Sequence, residues 1–283
     1  MKLLLSTCLF MVLAYSVSAT TYVLNNSEDR PSEHYDNFND IQNIASAEDT
    51  VLVNGYDGYA SGNGQHYDAI TITKPLTLIG TGYLLNRLAD SLTINDFESV
   101  FSSITIDTLA NGTSLLGISS NQSIIVMASG VTLMGCQIKT SNFRLQLQPS
   151  SNPNASNYVI NNTVIANCVL PEINIWPRCT NLLIRNNIIT YIQGPGSVQE
   201  SSTLIDHNTF VGYRSSSRGL RDVANSVVSS NIFSQGLFTN YASDAQSNSF
   251  SFNLSTEADL PNNNGNLINQ DCSNIFIAIN ACN

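Results

Sequence analysis

A short motif that returns at a nearly constant interval limits this chain more than any other feature. An apolar pair is followed, one to three positions on, by asparagine. The instances are Val159-Ile160-Asn161-Asn162, Leu183-Ile184-Arg185-Asn186-Asn187, Leu204-Ile205-Asp206-His207-Asn208, Val227-Val228-Ser229-Ser230-Asn231 and Phe250-Ser251-Phe252-Asn253. From Asn187 the motif returns after 21 residues, then 23, then 22. Leu133-Met134-Gly135-Cys136 fits the same frame, and Leu115-Leu116-Gly117 and Leu78-Ile79-Gly80 fit it more loosely. A period in the low twenties predicts a solenoid. The repeated segments are short, rich in Val, Ile, Thr and Phe, and roughly alternating, which predicts strands rather than helices. Leucine-rich repeats share the period but need a stricter leucine ladder. The expected fold is therefore a parallel β-helix, with each coil stacked on the last at about 4.8 Å. Asparagine suits its turns, because it tolerates left-handed backbone and its amides stack into ladders.

The two ends depart from the repeat. Met1-Lys2, an apolar run from Leu3 to Tyr15 and the small residues Val17-Ser18-Ala19 predict a secretory signal spanning 1–19. The expected location is extracellular or cell-surface, or periplasmic, with no membrane span once the signal is removed. Residues 20–50 are expected to hold a first strand and a capping helix. Phe38, Ile41, Ile44 and Ala45 stand at helical spacing, with Asp36 as the expected N-cap. Such a helix would close the open end of the first coil. Residues 51–283 would form the β-helix, with Pro75 confined to a coil corner or a first strand position. No C-terminal cap is recognised beyond the apolar run Ile275-Phe276-Ile277-Ala278-Ile279, so a missing segment or a partner at that end is expected.

Composition narrows the partners. Removal of the signal takes away Lys2 and no acid, so 10 basic residues stand against 21 acidic ones, a net charge of −11. Nucleic acid is an unsuitable partner for such a chain. A polyanionic polysaccharide would need a bridging cation. Charged residues make up only 11%, and 36 asparagines supply much of the polar surface. Five cysteines remain after Cys8 is lost: Cys136, Cys168, Cys179, Cys272 and Cys282. Cys168/Cys179 and Cys272/Cys282 are candidate local bridges. Burial as small apolar residues is the favoured alternative. No cluster has metal-site spacing, so no metal is expected.

The order of a capping helix, Asp49-to-Tyr59 (DTVLVNGYDGY), Ile70-to-Tyr83 (ITITKPLTLIGTGY) and asparagine-rich coils resembles the secreted right-handed parallel β-helix proteins of the pectin-lyase-like superfamily. It is most similar to members without assigned activity. Right-handedness is what the resemblance implies. Ser202–Phe210, STLIDHNTF, is similar to the WIDH-type segment of pectate lyases, with Leu204 in place of the tryptophan. Under that resemblance Asp206, His207, Arg218 and Arg221 are candidate catalytic residues, with calcium neutralising a uronate. The RxPxxR pattern of the lyases is absent. So are the NTD, DD, GHG and RIK-type motifs of the pectin hydrolases, and the acids do not repeat at the coil period. Asp206 occupies the motif position held by Arg185, Ser229 and Asn161, which predicts an outward, variable position.

Two further segments are binding candidates. The loop from Gly55 to Asp68 offers Tyr56, Asp57, Tyr59, His66, Tyr67 and Asp68 as a sugar platform or cation site, or as packing against the capping helix. Arg144-Leu145-Gln146-Leu147-Gln148 and Asn174-Ile175-Trp176-Pro177-Arg178 would line one face of the solenoid, with Trp176 either anchoring a glycan or filling a corner. The expectation is a surface-exposed scaffold that binds carbohydrate or serves in adhesion, without clear catalytic residues or cofactor. The alternative is a polysaccharide lyase or glycoside hydrolase with an atypical site.

Overall fold

The computed structural model describes residues 19–26, 30–55, 66–82, 98–149, 159–194, 202–211, 219–221, 226–233, 249–251 and 253–255. The expected signal segment before Ala19, the 275–279 run, Cys272, Cys282, Tyr56, Asp57, Tyr59 and Arg218 lie outside them.

The described chain is mostly β, with a single described helix, Phe38–Ile44. A 10-stranded sheet runs in strict chain order from Thr21–Leu24 through Thr50–Val53, Thr77–Ile79, Ser114–Leu116, Thr132–Met134, Val164–Ala166, Leu182–Arg185, Thr203–Asp206 and Ser226–Ser229 to Ser249–Ser251. Most of the strands between these belong to a 13-stranded sheet. Its main path takes Ile70–Ile72, Ile104–Ile106, Ile124–Val126, Leu145–Leu147, Val169–Ile175 and Ile188–Gln193 in the same order. Neighbouring strands pair in parallel throughout both paths. The chain thus alternates between two parallel sheets and always adds the next strand beside the previous one, a course compatible with a parallel β-helix.

The register explains the apolar pairs. Leu78, Leu115, Leu133, Ile165, Ile184, Ile205 and Val228 fall opposite one another on successive strands, and all are buried. They meet Ile72, Ile106, Val126, Leu147 and Ile175 of the other sheet in one core cluster. Side chains alternate across a strand, so the other member of each pair faces outward. Leu52, Ile79, Met134, Leu204 and Val227 are accordingly exposed.

Most of the repeat frame matches this register, but one instance does not. Ile160–Asn161 pairs with Cys179–Thr180 in a separate two-stranded sheet. The segment in frame is Val164-Ile165-Ala166, whose Ile165 faces Ile184 and whose Ala166 faces Arg185. Both stretches read as apolar residues before asparagine, and only strand pairing distinguishes them.

The asparagines that follow the pairs turn inward. Asn187, Asn208, Asn231 and Asn253 are buried. In the first three, the amide Nδ2 donates to the Oδ1 of the next at 3.0 Å. That same Oδ1 also accepts the backbone N–H of the preceding member, at 3.0, 2.8 and 3.0 Å. Nδ2 of Asn187, Asn208 and Asn231 further donates to the carbonyls of Ile165, Ile184 and Ile205. The ladder satisfies polar groups that would otherwise be buried without partners. Immediately before the first three, Asn186, His207 and Ser230 adopt φ of 54°, 54° and 56°. Upstream, Gly117 and Gly135 hold the same place at 66° and 62°. Asn and His tolerate that left-handed conformation better than most side chains do.

The helix differs in detail from its expectation. Asn37, not Asp36, is the N-cap: its backbone is extended and its Oδ1 accepts the N–H of Asn39 at 2.8 Å. Asp36 instead pairs with Arg30 at 2.7 Å. Phe38, Ile41 and Ala45 are buried, whereas Ile44 is 52% exposed. The helix is tied to the sheet by Lys74 Nζ donating to the Ala45 carbonyl at 2.7 Å and Thr73 N–H donating to Gln42 Oε1 at 3.0 Å. Pro75 lies between the strands Ile70–Ile72 and Thr77–Ile79, where no ladder N–H is required.

Candidate functional site

Asp206 ends the strand Thr203–Asp206, on the outer side of the 10-stranded sheet. One carboxylate oxygen lies 2.7 Å from His207 Nδ1, and the other accepts from Ser229 Oγ at 2.8 Å. Partial burial pushes the Asp206 carboxyl up. The bonds from His207 and Ser229, with the charges of His207 and Arg185, outweigh that and hold it below the ordinary carboxylate value. A carboxylate lowered in this way is a weak general base, and the exposed His207 ring is engaged by the same carboxylate at 2.7 Å. Arg221 belongs to a strand of the other sheet, Gly219–Arg221, paired with Tyr191–Gln193. The four catalytic candidates therefore reduce to one described contact, between Asp206 and His207. The register neighbours of Asp206 are Arg185 and Ser229, and two strands away Ala166 takes the place expected of Asn161.

Asp206→Ala is expected to cost no more than about 1 kcal/mol, since it removes a surface ion pair and one hydroxyl bond. The folded carboxyl is lowered, so its contribution is present above the ordinary Asp value of about 3.9 and is lost as pH falls through the lower folded value. Urea midpoints of the two proteins should differ slightly at neutral pH and converge in strong acid.

The N-terminal candidates separate in the same way. Tyr67 is buried, its ring 5.3 Å from that of Phe101, and its hydroxyl donates to the Asn54 carbonyl at 3.0 Å. It is a packing residue and cannot offer a face to a sugar. His66 Nδ1 donates to the Tyr67 carbonyl at 3.1 Å. Asp68 is exposed and lines, with Asp36, Phe38 and Tyr67, a cleft of about 310 Å³ beside the helix. No group of three or more metal-ligating side chains occurs among the described residues.

The outer face of the 13-stranded sheet is a better-formed surface. Gln146, Asn174 and Gln193 lie in register on three neighbouring strands. Each stands between or beside buried residues, Leu145 and Leu147, Ile173 and Ile175, and Ile192, so alternation turns the amides outward. Arg144 Nη1 meets Glu172 Oε1 at 3.1 Å on the same face, which orients both ends of this pair. At the end of the Val169–Ile175 strand the chain turns, and Trp176 is 42% exposed there rather than filling a corner. The strip carries donors and acceptors from three amides, one balanced ion pair and an indole at its edge. Gln146 and Asn174 fall within the two segments, 144–148 and 174–178, expected to line one face. Gln193 was not foreseen, because its neighbours Tyr191 and Ile192 break the alternating pattern.

The three described cysteines are free and buried. Cys179 donates to the Leu147 carbonyl at 3.4 Å, and its thiol is pushed up to about 12 by burial. Cys168 points instead at the carbonyls of Ala166 and Leu133, so the candidate bridge between Cys168 and Cys179 is not formed and the favoured alternative, burial as small residues, is what the described cysteines show.

These features define a mostly β protein of parallel sheets with an amide-lined outer strip that carries one balanced ion pair. Comparison with family models, curated proteins and solved structures returned no match. No helix among the described residues is long and apolar enough to cross a membrane.

Proposed function

We propose that this chain is a secreted or surface-exposed right-handed parallel β-helix, of the pectin-lyase-like kind, that binds a neutral glycan. The strip of Gln146, Asn174 and Gln193 beside the exposed Trp176 carries this reading. Amides supply the paired donors and acceptors that sugar hydroxyls need, and an indole supplies a face for a sugar ring. The net charge of −10 for the full chain disfavours a polyanionic ligand. Right-handedness rests on the resemblance and on the strong preference of parallel crossovers for that hand. Secretion rests on the leader-like first 19 residues. Adhesion is the second reading, favoured by the apolar residues Leu52, Ile79, Met134, Leu204 and Val227 exposed on the other sheet. Calcium enters only if the chain proves to be a lyase.

The test is affinity for a panel of neutral and acidic polysaccharides, with release of reducing ends and unsaturated sugars followed in parallel, with and without calcium. Binding of a neutral glycan without product is expected. Trp176→Ala should weaken it roughly tenfold while leaving the melting transition unchanged. Failure of every neutral glycan to bind would remove this reading, and product from any substrate would replace it with the enzymatic alternative.

A further inference from the structure

The column that carries the asparagine ladder begins with two cysteines. Cys168 N–H donates to Asn187 Oδ1 at 2.8 Å, and Cys136 N–H donates to Cys168 Sγ at 3.4 Å. Gln137 and Val169, the next residues of each, are register partners in parallel strands. Positions that correspond on neighbouring strands lie about 4.8 Å apart. A disulfide spans Cα separations of about 4.4–6.8 Å, so the backbone already has the spacing a bridge requires. Both residues are buried, at 0% and 1% exposure. Cys179 is turned toward Leu147 and does not compete.

The two cysteines also make a step that lacks the amide-to-amide bonds found further along the column. From Asn187 to Asn253 every step has a side-chain amide N–H donating to the next amide oxygen, and the step from Cys168 to Asn187 has the Cys168 backbone N–H donating to Asn187 Oδ1. Here the thiols donate to main-chain carbonyls, Cys136 to Leu115 and Cys168 to Ala166. The side-chain bonds across this step are two weak ones to or from sulfur, Cys136 N–H to Cys168 Sγ at 3.4 Å and Cys168 Sγ to the Leu133 carbonyl at 3.6 Å, beside the backbone bond from Val169 N–H to the Cys136 carbonyl at 2.9 Å.

We propose that Cys136 and Cys168 are a modification site, a cross-strand disulfide that closes when the chain folds in the presence of a small-molecule disulfide such as oxidised glutathione. This goes beyond the glycan reading and does not depend on it. One cysteine thiolate attacks a sulfur of the oxidant, forming a mixed disulfide and releasing one glutathione thiolate. The second cysteine thiolate attacks the protein sulfur of that mixed disulfide and releases the other. Two thiol protons leave, two electrons pass to the oxidant, and one S–S bond joins the neighbouring strands. Burial restricts the reaction to the period before the core closes, because a thiol without solvent access neither ionises readily nor meets the oxidant.

The experiment refolds the full chain from denaturant in a glutathione redox buffer or in reductant. Remaining thiols are alkylated in denaturant and linked peptides are mapped by mass spectrometry. A peptide pair joining Cys136 to Cys168 is expected after oxidative refolding, with a melting midpoint roughly 5–15 °C above that of the reduced protein. Cys136→Ser should lose both the link and the shift, whereas Cys179→Ser should keep both. Circular dichroism of each variant establishes that it folds, and Cys168→Ser serves if Cys136→Ser does not. Alkylation of both cysteines in the oxidatively refolded wild type, or linkage of Cys168 to another cysteine, would overturn the proposal.

Discussion

Ile205→Asp is expected to abolish cooperative folding, while Leu204→Asp, one position away, leaves the chain folded. Ile205 is fully buried and faces Ile184 and Val228 on the neighbouring strands. Its replacement would place a carboxylate among branched apolar side chains with no cation or donor to meet it. An uncompensated buried charge costs several kcal/mol even after relaxation. That is comparable with the whole stability of an ordinary domain, about 5–15 kcal/mol. Leu204 stands on the outer face and is 38% exposed, so the same carboxylate there stays in water. The measurement is circular dichroism with urea titration of both variants. A one-residue slip in register would exchange the two phenotypes, because it turns every side chain to the opposite face.

The second large effect is expected at Asn208. Its Oδ1 accepts from Asn187 Nδ2 and from the Asn187 N–H, both at 3.0 Å. Its Nδ2 donates to the Ile184 carbonyl at 2.8 Å and to Asn231 Oδ1 at 3.0 Å. Asn208→Ala removes both atoms, leaves the buried Asn187 N–H without its acceptor, and takes one bond each from Asn187 Nδ2, the Ile184 carbonyl and Asn231 Oδ1. Each orphaned group costs about 1–3 kcal/mol, so a loss of roughly 3–5 kcal/mol is expected from several affected together. Asn208→Asp keeps the acceptors but replaces the donor with a buried charge, and should be no better. Neighbouring Asn186→Gly, in the left-handed and exposed turn position, should be nearly neutral. A urea midpoint for Asn208→Ala close to wild type would mean that the amides do not carry the ladder.

Much of the strand framework was legible in one chain. The interval of 21 to 23 residues and the branched apolar pairs pointed to stacked parallel strands, because a side chain that must be buried once per pass recurs once per pass. The helix was legible from Phe38, Ile41 and Ala45, although Ile44 shares their spacing and faces solvent. Its cap was displaced by one residue, since Asp36 is drawn off by Arg30. The candidate sites were less legible. STLIDHNTF resembles an active-site segment by residue type, yet Asp206 caps a strand beside Ser229, His207 turns the chain and Asn208 enters the core.

What the sequence by itself determined is the class of structure. Periodicity and alternation are local properties, and they decide which side chains must share a core and which elements can form. What only the tertiary structure decided is the set of neighbours. Ile160-Asn161 and Ile165-Ala166 are equally good local candidates for one strand, and the choice fell to pairing with Leu182–Arg185. The same pairing aligned Gln146, Asn174 and Gln193 into one strip and brought Cys136 against Cys168 across 32 positions of sequence. Insertions between strands vary in length, so sequence distance does not measure which residues meet. Hydrogen bonding between neighbouring strands does.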